Sequence, residues 1–168
     1  MADRFWVGGT GNWDASTTTN WSASSGGAGG ASVPTSADNV TFDSASNGAS
    51  YTCTVTATAN CLNISWANPS VGTLTFAGAS AMSVYGNFTW TTSAISRTFT
   101  STITFRATTT GKTITTNGET FSNNFTFDGV GGGWTIQDAL SIGSGDITLT
   151  NGSLDTNGQT LAIGAFNS

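Results

Sequence analysis

The chain has 168 residues, only 8% of them charged, and its four basic residues, nine acidic residues and lack of histidine give a net charge of −5. An average soluble domain is about 25% charged. This balance excludes binding to a nucleic-acid backbone and a polybasic contact with a membrane surface, because both draw their energy from lysine and arginine. Without histidine, Ser-His-Asp and Cys-His catalytic arrangements are excluded as well.

The uncharged remainder is typical of an ordered chain built from strands. Disordered chains are poor in aromatic and β-branched residues, whereas this one has 10 Phe and 6 Trp and is rich in threonine. Threonine and the aromatic residues favour strands and are weak helix formers. The composition therefore predicts an all-β fold.

The first 45 residues differ from the rest of the chain. Trp6, Trp13 and Trp21 stand between glycine clusters, and residues 22–31 are almost wholly serine, glycine and alanine. We predict that residues 1–45 form a Trp/Gly-rich attachment or capping segment. Its three indole rings either seal the first coil of the fold or contact a partner or a glycan.

The chain starts without the basic residues and apolar stretch of a secretory signal, although its composition is typical of extracellular proteins. A virion protein satisfies both observations, because it is made in the cytoplasm and reaches the outside when the host lyses. We therefore expect the virion surface as its location. The alternative is an extracellular or bacterial cell-surface protein whose signal has been removed.

From about residue 50 the sequence consists of short segments that alternate polar and apolar residues, which predicts half-buried strands. One five-residue phrase recurs at steps of 14, 15, 22 and 22 residues. It consists of a small residue, any residue, an apolar residue, threonine and a second apolar residue. Its copies are 72–76, 86–90, 101–105, 123–127 and 145–149. A longer phrase containing Asn-Gly occurs at 114–121 and again 40 residues later at 154–161.

Repeats of this kind predict that residues 46–168 form a β-solenoid with coils of about 20 residues. Each coil is too small to bury its own apolar side chains, so it must stack on its neighbours. The Asn-Gly pairs would provide positive φ angles at the corners. The alternative is an antiparallel β-sandwich, in which Asn-Gly forms two-residue hairpins. The steps of 14 and 15 favour the sandwich, and the steps of 22 and 40 favour the solenoid.

Cys53 and Cys61 are eight residues apart, on either side of a short polar segment. A turn between them would allow a disulfide. The alternative is two small buried thiols, which stay reduced in a protein made in the cytoplasm. Two cysteines without histidine are too few for a zinc site, so we expect no metal.

The acidic residues are scattered singly and often stand next to glycine, as in turns, whereas glycosidases need two facing carboxylates. We therefore expect no catalytic residues, no cofactor and no enzymatic activity.

The opening of the chain carries a recognisable pattern, W-x-G-G-x-G-x-W, followed by N-W and by P…D-x-V-x-F. The residues concerned are 6–13, 20–21 and 34–42. This pattern, with the repeats that follow it, resembles β-helical phage tail-fibre, head-fibre and decoration-like proteins and autotransporter-type or adhesin-like surface proteins.

The resemblance implies a right-handed parallel β-helix and a structural protein of a bacteriophage virion, acting in capsid decoration or as a fibre module in adhesion. The implied partners are capsid or tail proteins and further copies of the chain in a trimer, with a host-surface glycan as an additional candidate. No nucleic acid and no membrane insertion are expected. The alternatives are a carbohydrate-binding module and a fragment of a secreted adhesin passenger. A stack without a polar cap would expose a strand edge, which a partner, a trimer or further sequence should cover.

Overall fold

The computed structural model describes residues 1–67, 72–91 and 95–168, and these residues form a parallel β-solenoid of about six turns. The strands of one coil pair with those of the next, in register and in parallel. Among the described strands, one pair is antiparallel. The all-β solenoid prediction is confirmed and the sandwich alternative is wrong. The right-handed sense of winding stays a prediction.

The strands follow one another coil by coil along the chain, which makes an incomplete first coil and then six further coils, numbered two to seven. Coils one to three contain β1 (Asp3–Trp6), β2 (Gly11–Trp13), β3 (Trp21–Ser22), β4 (Asn39–Phe42), β5 (Tyr51–Val55), β6 (Ala59–Cys61), β7 (Ile64–Trp66), β8 (Leu74–Gly78) and β9 (Met82–Val84). Coils four to seven contain β10 (Phe88–Trp90), β11 (Ile95–Phe99), β12 (Ile103–Phe105), β13 (Lys112–Thr115), β14 (Phe125–Ile136), β15 (Leu140–Ser141), β16 (Ile147–Asp155), β17 (Leu161–Ala162) and β18 (Phe166–Asn167).

These strands build three faces around one core. Face one stacks β1, β4, β7, β10, β13 and the second halves of β14 and β16. Face two consists of a sheet of β2, β5, β8 and β11 and a separate sheet of β15 and β17. Face three stacks β6, β9, β12, the first halves of β14 and β16, and β18. The long strands β14 and β16 run around a corner from face three to face one.

The paired registers explain both kinds of repeat spacing. On face three, Ile103 lies beside Phe125 and Phe125 beside Ile147, so one coil there takes 22 residues. The earlier copies at 72–76 and 86–90 lie on β8 and β10, which belong to faces two and one. Their steps of 14 and 15 therefore span two strands of a three-stranded coil. The spacing that favoured a sandwich arises from the same solenoid.

The core is a column of aromatic side chains. Along face one, the ring of Trp6 lies 5.7 Å from that of Phe42, which lies 6.0 Å from that of Trp66. The ring of Trp66 lies 4.8 Å from that of Trp90. Rings at such distances attract one another beyond the effect of area burial alone. The alternation of the sequence therefore aligns large rings from coil to coil.

The predicted role of the Asn-Gly pairs is confirmed. Asn117 and Asn157 have φ angles of 54° and 51°, and the glycine after each has a φ angle of 70°. The turns are closed by hydrogen bonds from the Glu119 amide to the Thr116 carbonyl and from the Gln159 amide to the Thr156 carbonyl. Each turn is a solenoid corner that leads from face one towards face two.

Candidate functional site: the two ends of the solenoid

The N-terminal end of the solenoid is closed by its own chain. β3 pairs antiparallel with β1 and so covers the free edge of face one. The Ala31 amide then donates to the Trp21 carbonyl, and the Arg4 guanidinium donates to Ser32. β1 and β4 lie in the same sheet as the later coils, so residues 1–45 form the first coil and part of the second.

Trp6, Trp13 and Trp21 lie inside this first coil and have exposed fractions of 0%, 1% and 0%. The ring of Trp21 lies 5.1 Å from that of Trp6 and 5.0 Å from that of Trp13, both edge to face. The three rings therefore pack in the core of the first coil, with their faces covered by other side chains. A contact of these residues with a glycan or a partner stays a prediction.

Trp66, Trp90 and Trp134 are buried as well. None of the six tryptophan rings is therefore exposed for stacking on a sugar ring in this structure. The glycine-rich segment before Trp134 is part of β14. A Cβ atom built on Gly129 or Gly132 would lie about 2 Å from the Ala107 carbonyl oxygen, so this corner needs glycine for close backbone packing.

Asp38 ties the N-terminus to the end of the long loop. Its carboxylate accepts hydrogen bonds from the Ala2 amide and from the amide and hydroxyl of Thr35. Burial raises the pKa of Asp38, but the hydrogen bonds from Thr35 and Ala2, with the charge of Arg4, outweigh burial and hold the pKa below its ordinary value. Asp38 is therefore an ionised structural acceptor.

The C-terminal end of the solenoid is not closed by its own chain among the described residues. Its last coil, formed by β17, β18 and the second half of β16, has no further coil stacked on it among the described residues. Its apolar side chains are only partly covered, and Phe166 is 48% exposed. The partly covered residues here are Leu154, Leu161 and Ile163. We call this surface, from residue 153 to residue 168, the open edge.

The open edge combines two features that attract another strand. Strands at the end of a stack present unpaired backbone N–H and C=O groups, and the exposed ring of Phe166 adds apolar area. Asp155 is the one charged residue between 147 and 168, so charge gives this surface little protection against association. Among the described residues this edge is unpaired, and what covers it, whether a partner, a further copy or further sequence, stays a prediction.

Cys53 and Cys61 lie on β5 and β6, and both are free, buried thiols in this structure. Burial raises the pKa of each thiol well above its ordinary value. Buried neutral thiols behave as small apolar side chains, so no bond between them is needed to explain their place in the core. The disulfide that their spacing allows is not formed here.

A cluster of metal-binding side chains and a membrane-spanning helix are both absent from the described residues. They contain no group of three or more His, Cys, Asp or Glu side chains that could hold a metal ion. They also contain no helix that is long and apolar enough to span a membrane.

One buried charge was missed by the sequence reasoning. Arg97 lies on β11 with its side chain only 17% exposed. The signal was present in the alternation of Ile95, Arg97 and Phe99, which predicts that all three face inward.

Comparison with known proteins identifies no relative. No protein-family model matches the chain, and no curated protein and no solved structure shows significant similarity to it. The fold and its two ends are therefore the basis for a functional proposal.

Proposed function

We propose that this chain is a non-enzymatic structural module on the outside of a bacteriophage virion, where it acts as a surface decoration or fibre element. The observation that carries the proposal is the parallel solenoid itself, whose stacked coils share one continuous buried aromatic core. Such a module is suited to mechanical and adhesive work, in which it joins other copies or other virion proteins through its open edge.

The character of the core and surface supports the same proposal. The core is a continuous column of aromatic and aliphatic side chains, and only two ion pairs occur among the described residues. Burial of apolar area depends weakly on salt, whereas surface ion pairs are screened by it. A module built in this way keeps its structure across the range of salt concentrations that a particle meets outside its host.

Two measurements test the proposal. Light scattering combined with small-angle X-ray scattering should show an elongated oligomer, with a trimer at three times the 17.0 kDa chain mass. A compact monomer at all concentrations would argue against an assembly module. Mass spectrometry of purified phage particles should find the chain at a fixed stoichiometry, and its absence from washed particles would overturn the virion location.

A further inference from the structure

Face two is interrupted at coil five. Its first sheet ends at β11, its second sheet begins at β15, and coil five contributes one isolated bridge, between Thr120 and Ser141. Among the described residues, β11 therefore has no strand of coil five on its outer edge. Side chains must hold coil five against coil four at this place.

Arg97 lies at this interruption, with its side chain on the side of face two that faces the core. Its backbone is in register with Phe76, which is in register with Cys53, and both of these side chains are buried in the core. The column of inward side chains on face two thus ends in a guanidinium group. Removing a charge from water is costly unless the protein supplies compensating contacts.

The surroundings of the guanidinium supply such contacts. Its central carbon lies 4.0 Å from the ring centre of Phe121 and 5.0 Å from that of Trp90. One of its nitrogens, Nη2, donates to the Thr120 carbonyl and lies 4.0 Å from the carboxylate of Glu119. Two aromatic rings, a carbonyl and a carboxylate are the groups that recognise a planar cation.

A small cavity adjoins the same group. It is lined by aromatic rings and by Asn123, and it has room for one water molecule. The second terminal nitrogen of Arg97, Nη1, is buried without a hydrogen-bond partner among the described residues. Burial lowers the pKa of Arg97, and the charge of Glu119 opposes that change. The guanidinium is therefore held mainly by contacts within the protein, although part of it remains exposed.

We propose that Trp90, Phe121, Glu119 and the Thr120 carbonyl form an internal cage for a guanidinium cation, and that Arg97 is its resident ligand. The bound cation joins coil four to coil five across the interruption in face two. An apolar side chain of the same length would fill the space, but it would leave the Thr120 carbonyl and the Glu119 carboxylate without their donor.

Chemical rescue tests the cage. Arg97→Ala should lower Tm and reduce the hydrogen-exchange protection of the Phe121 amide, which donates to the Ser141 carbonyl. Guanidinium chloride at low millimolar concentration should restore most of both losses, because the free cation takes the vacated site. Urea at the same concentration has a similar shape without the charge and should restore neither.

Arg106→Ala is the matched control. Arg106 makes a pair of 3.1 Å with Asp128, and its side chain is 41% exposed, so its removal should change Tm little and guanidinium should not affect the variant. If guanidinium and urea act alike on Arg97→Ala, the cage does not select a cation and the proposal fails.

A second pair of variants decides the matter if Arg97→Ala does not fold. Arg97→Lys keeps a cation, and Arg97→Met keeps the length without charge. The cage predicts greater protection of the Phe121 amide in Arg97→Lys than in Arg97→Met. Equal or reversed protection would show that Arg97 is only an apolar filler.

Discussion

The buried tryptophan side chains differ in whether the indole N–H has a hydrogen-bond partner. The indole N–H of Trp6 donates to the Gly9 carbonyl at 2.8 Å, whereas the buried indole N–H of Trp66 has no partner among the described residues. Leaving a buried polar group unpaired costs about 1 to 3 kcal/mol. The two rings therefore contribute differently to stability, although both are buried in the same aromatic column.

We predict that Trp6→Phe lowers the free energy of unfolding by about 1 kcal/mol more than Trp66→Phe does. Both changes remove the same ring atoms, but the first leaves the Gly9 carbonyl without its donor and the second removes an unpaired donor. Urea unfolding monitored by circular dichroism measures the difference. An equal or larger loss for Trp66→Phe would contradict the assignment of its N–H as unpaired.

The two cysteines give a second prediction at this scale. Because burial raises the pKa of Cys53 and Cys61, and the thiolate is the reactive form, neither thiol should react with Ellman's reagent in the native protein. Two equivalents should react after unfolding in urea without a reductant. No reactive thiol after unfolding would show that the disulfide allowed by the sequence does form.

Whether the burial of a residue could be predicted from the sequence depends on the local pattern around it. Trp66 and Trp90 continue alternating strands, so their burial followed from the alternation of polar and apolar residues alone. Trp13 and Trp21 stand in glycine-rich segments without a period, and their burial depends on β3 folding back onto β1. That contact is between different parts of the chain, so the sequence left two interpretations open.

At the scale of single elements, corners of the solenoid depend on glycine for different reasons. A Cβ atom on Gly118 would meet no atom within 4 Å, but its φ angle is 70°. A Cβ atom on Gly48 would also meet no atom, and its φ angle is not positive. Comparing the two positions isolates backbone strain, because neither of them is sterically crowded.

Gly118→Ala should therefore lower the free energy of unfolding by about 1 to 2 kcal/mol, which is the cost of a left-handed conformation for a residue with a Cβ atom. Gly48→Ala, the control, should leave stability unchanged or raise it by about 0.4 to 1 kcal/mol through the unfolded state. Chemical denaturation of both variants measures this. Equal effects would show that the turn at Gly118 does not hold its positive φ angle.

The N-terminal closure should depend on pH. The folded-state pKa of Asp38 is lowered, so its contribution to stability is present above the unfolded pKa of about 3.9 and is lost as the pH falls through the folded value. The protection factor of the Ala2 amide should fall in that range. In Asp38→Asn it should be low at every pH.

Asp14→Asn is the control for this prediction. Asp14 accepts hydrogen bonds from Ser16 and Thr17 within its own turn, so its replacement should affect exchange at those two amides and leave Ala2 protected. If Ala2 stays protected in Asp38→Asn, Asp38 does not hold the N-terminus.

The turns also show the limit of prediction at the element scale. The two Asn-Gly pairs of the repeated phrase, 117–118 and 157–158, have the predicted positive φ angles, whereas the pair at 47–48 has none. Whether such a turn closes a hairpin or forms a solenoid corner is decided by the strand that the following segment meets. For residues 116–119 this choice depends on Asp138, which accepts hydrogen bonds from Thr116 and Asn117 and lies one coil further along.

At the scale of the whole molecule, the repeat spacing predicted the solenoid correctly, although its first two steps, of 14 and 15 residues, had favoured a sandwich. The 22-residue steps between 101 and 149 connect strands of one face, and the shorter steps connect strands of different faces. Strand assignment to faces cannot be read from one repeat, because every face has the same alternation. The break in face two could not be predicted from the repeats, because no sequence phrase marks the place where coil five lacks a strand on that face.

The open edge leads to the last prediction. If further copies join there, Phe166→Glu should shift the mass measured by light scattering from the oligomer towards the 17.0 kDa monomer, because it places a charge on the exposed ring position of the edge. Val130→Glu is the matched control, since Val130 is 75% exposed but lies on β14, outside the open edge. Its oligomer should be unchanged. Dissociation of both variants alike would point to a general effect of added charge, and an intact Phe166→Glu oligomer would place the contact between copies elsewhere on the solenoid.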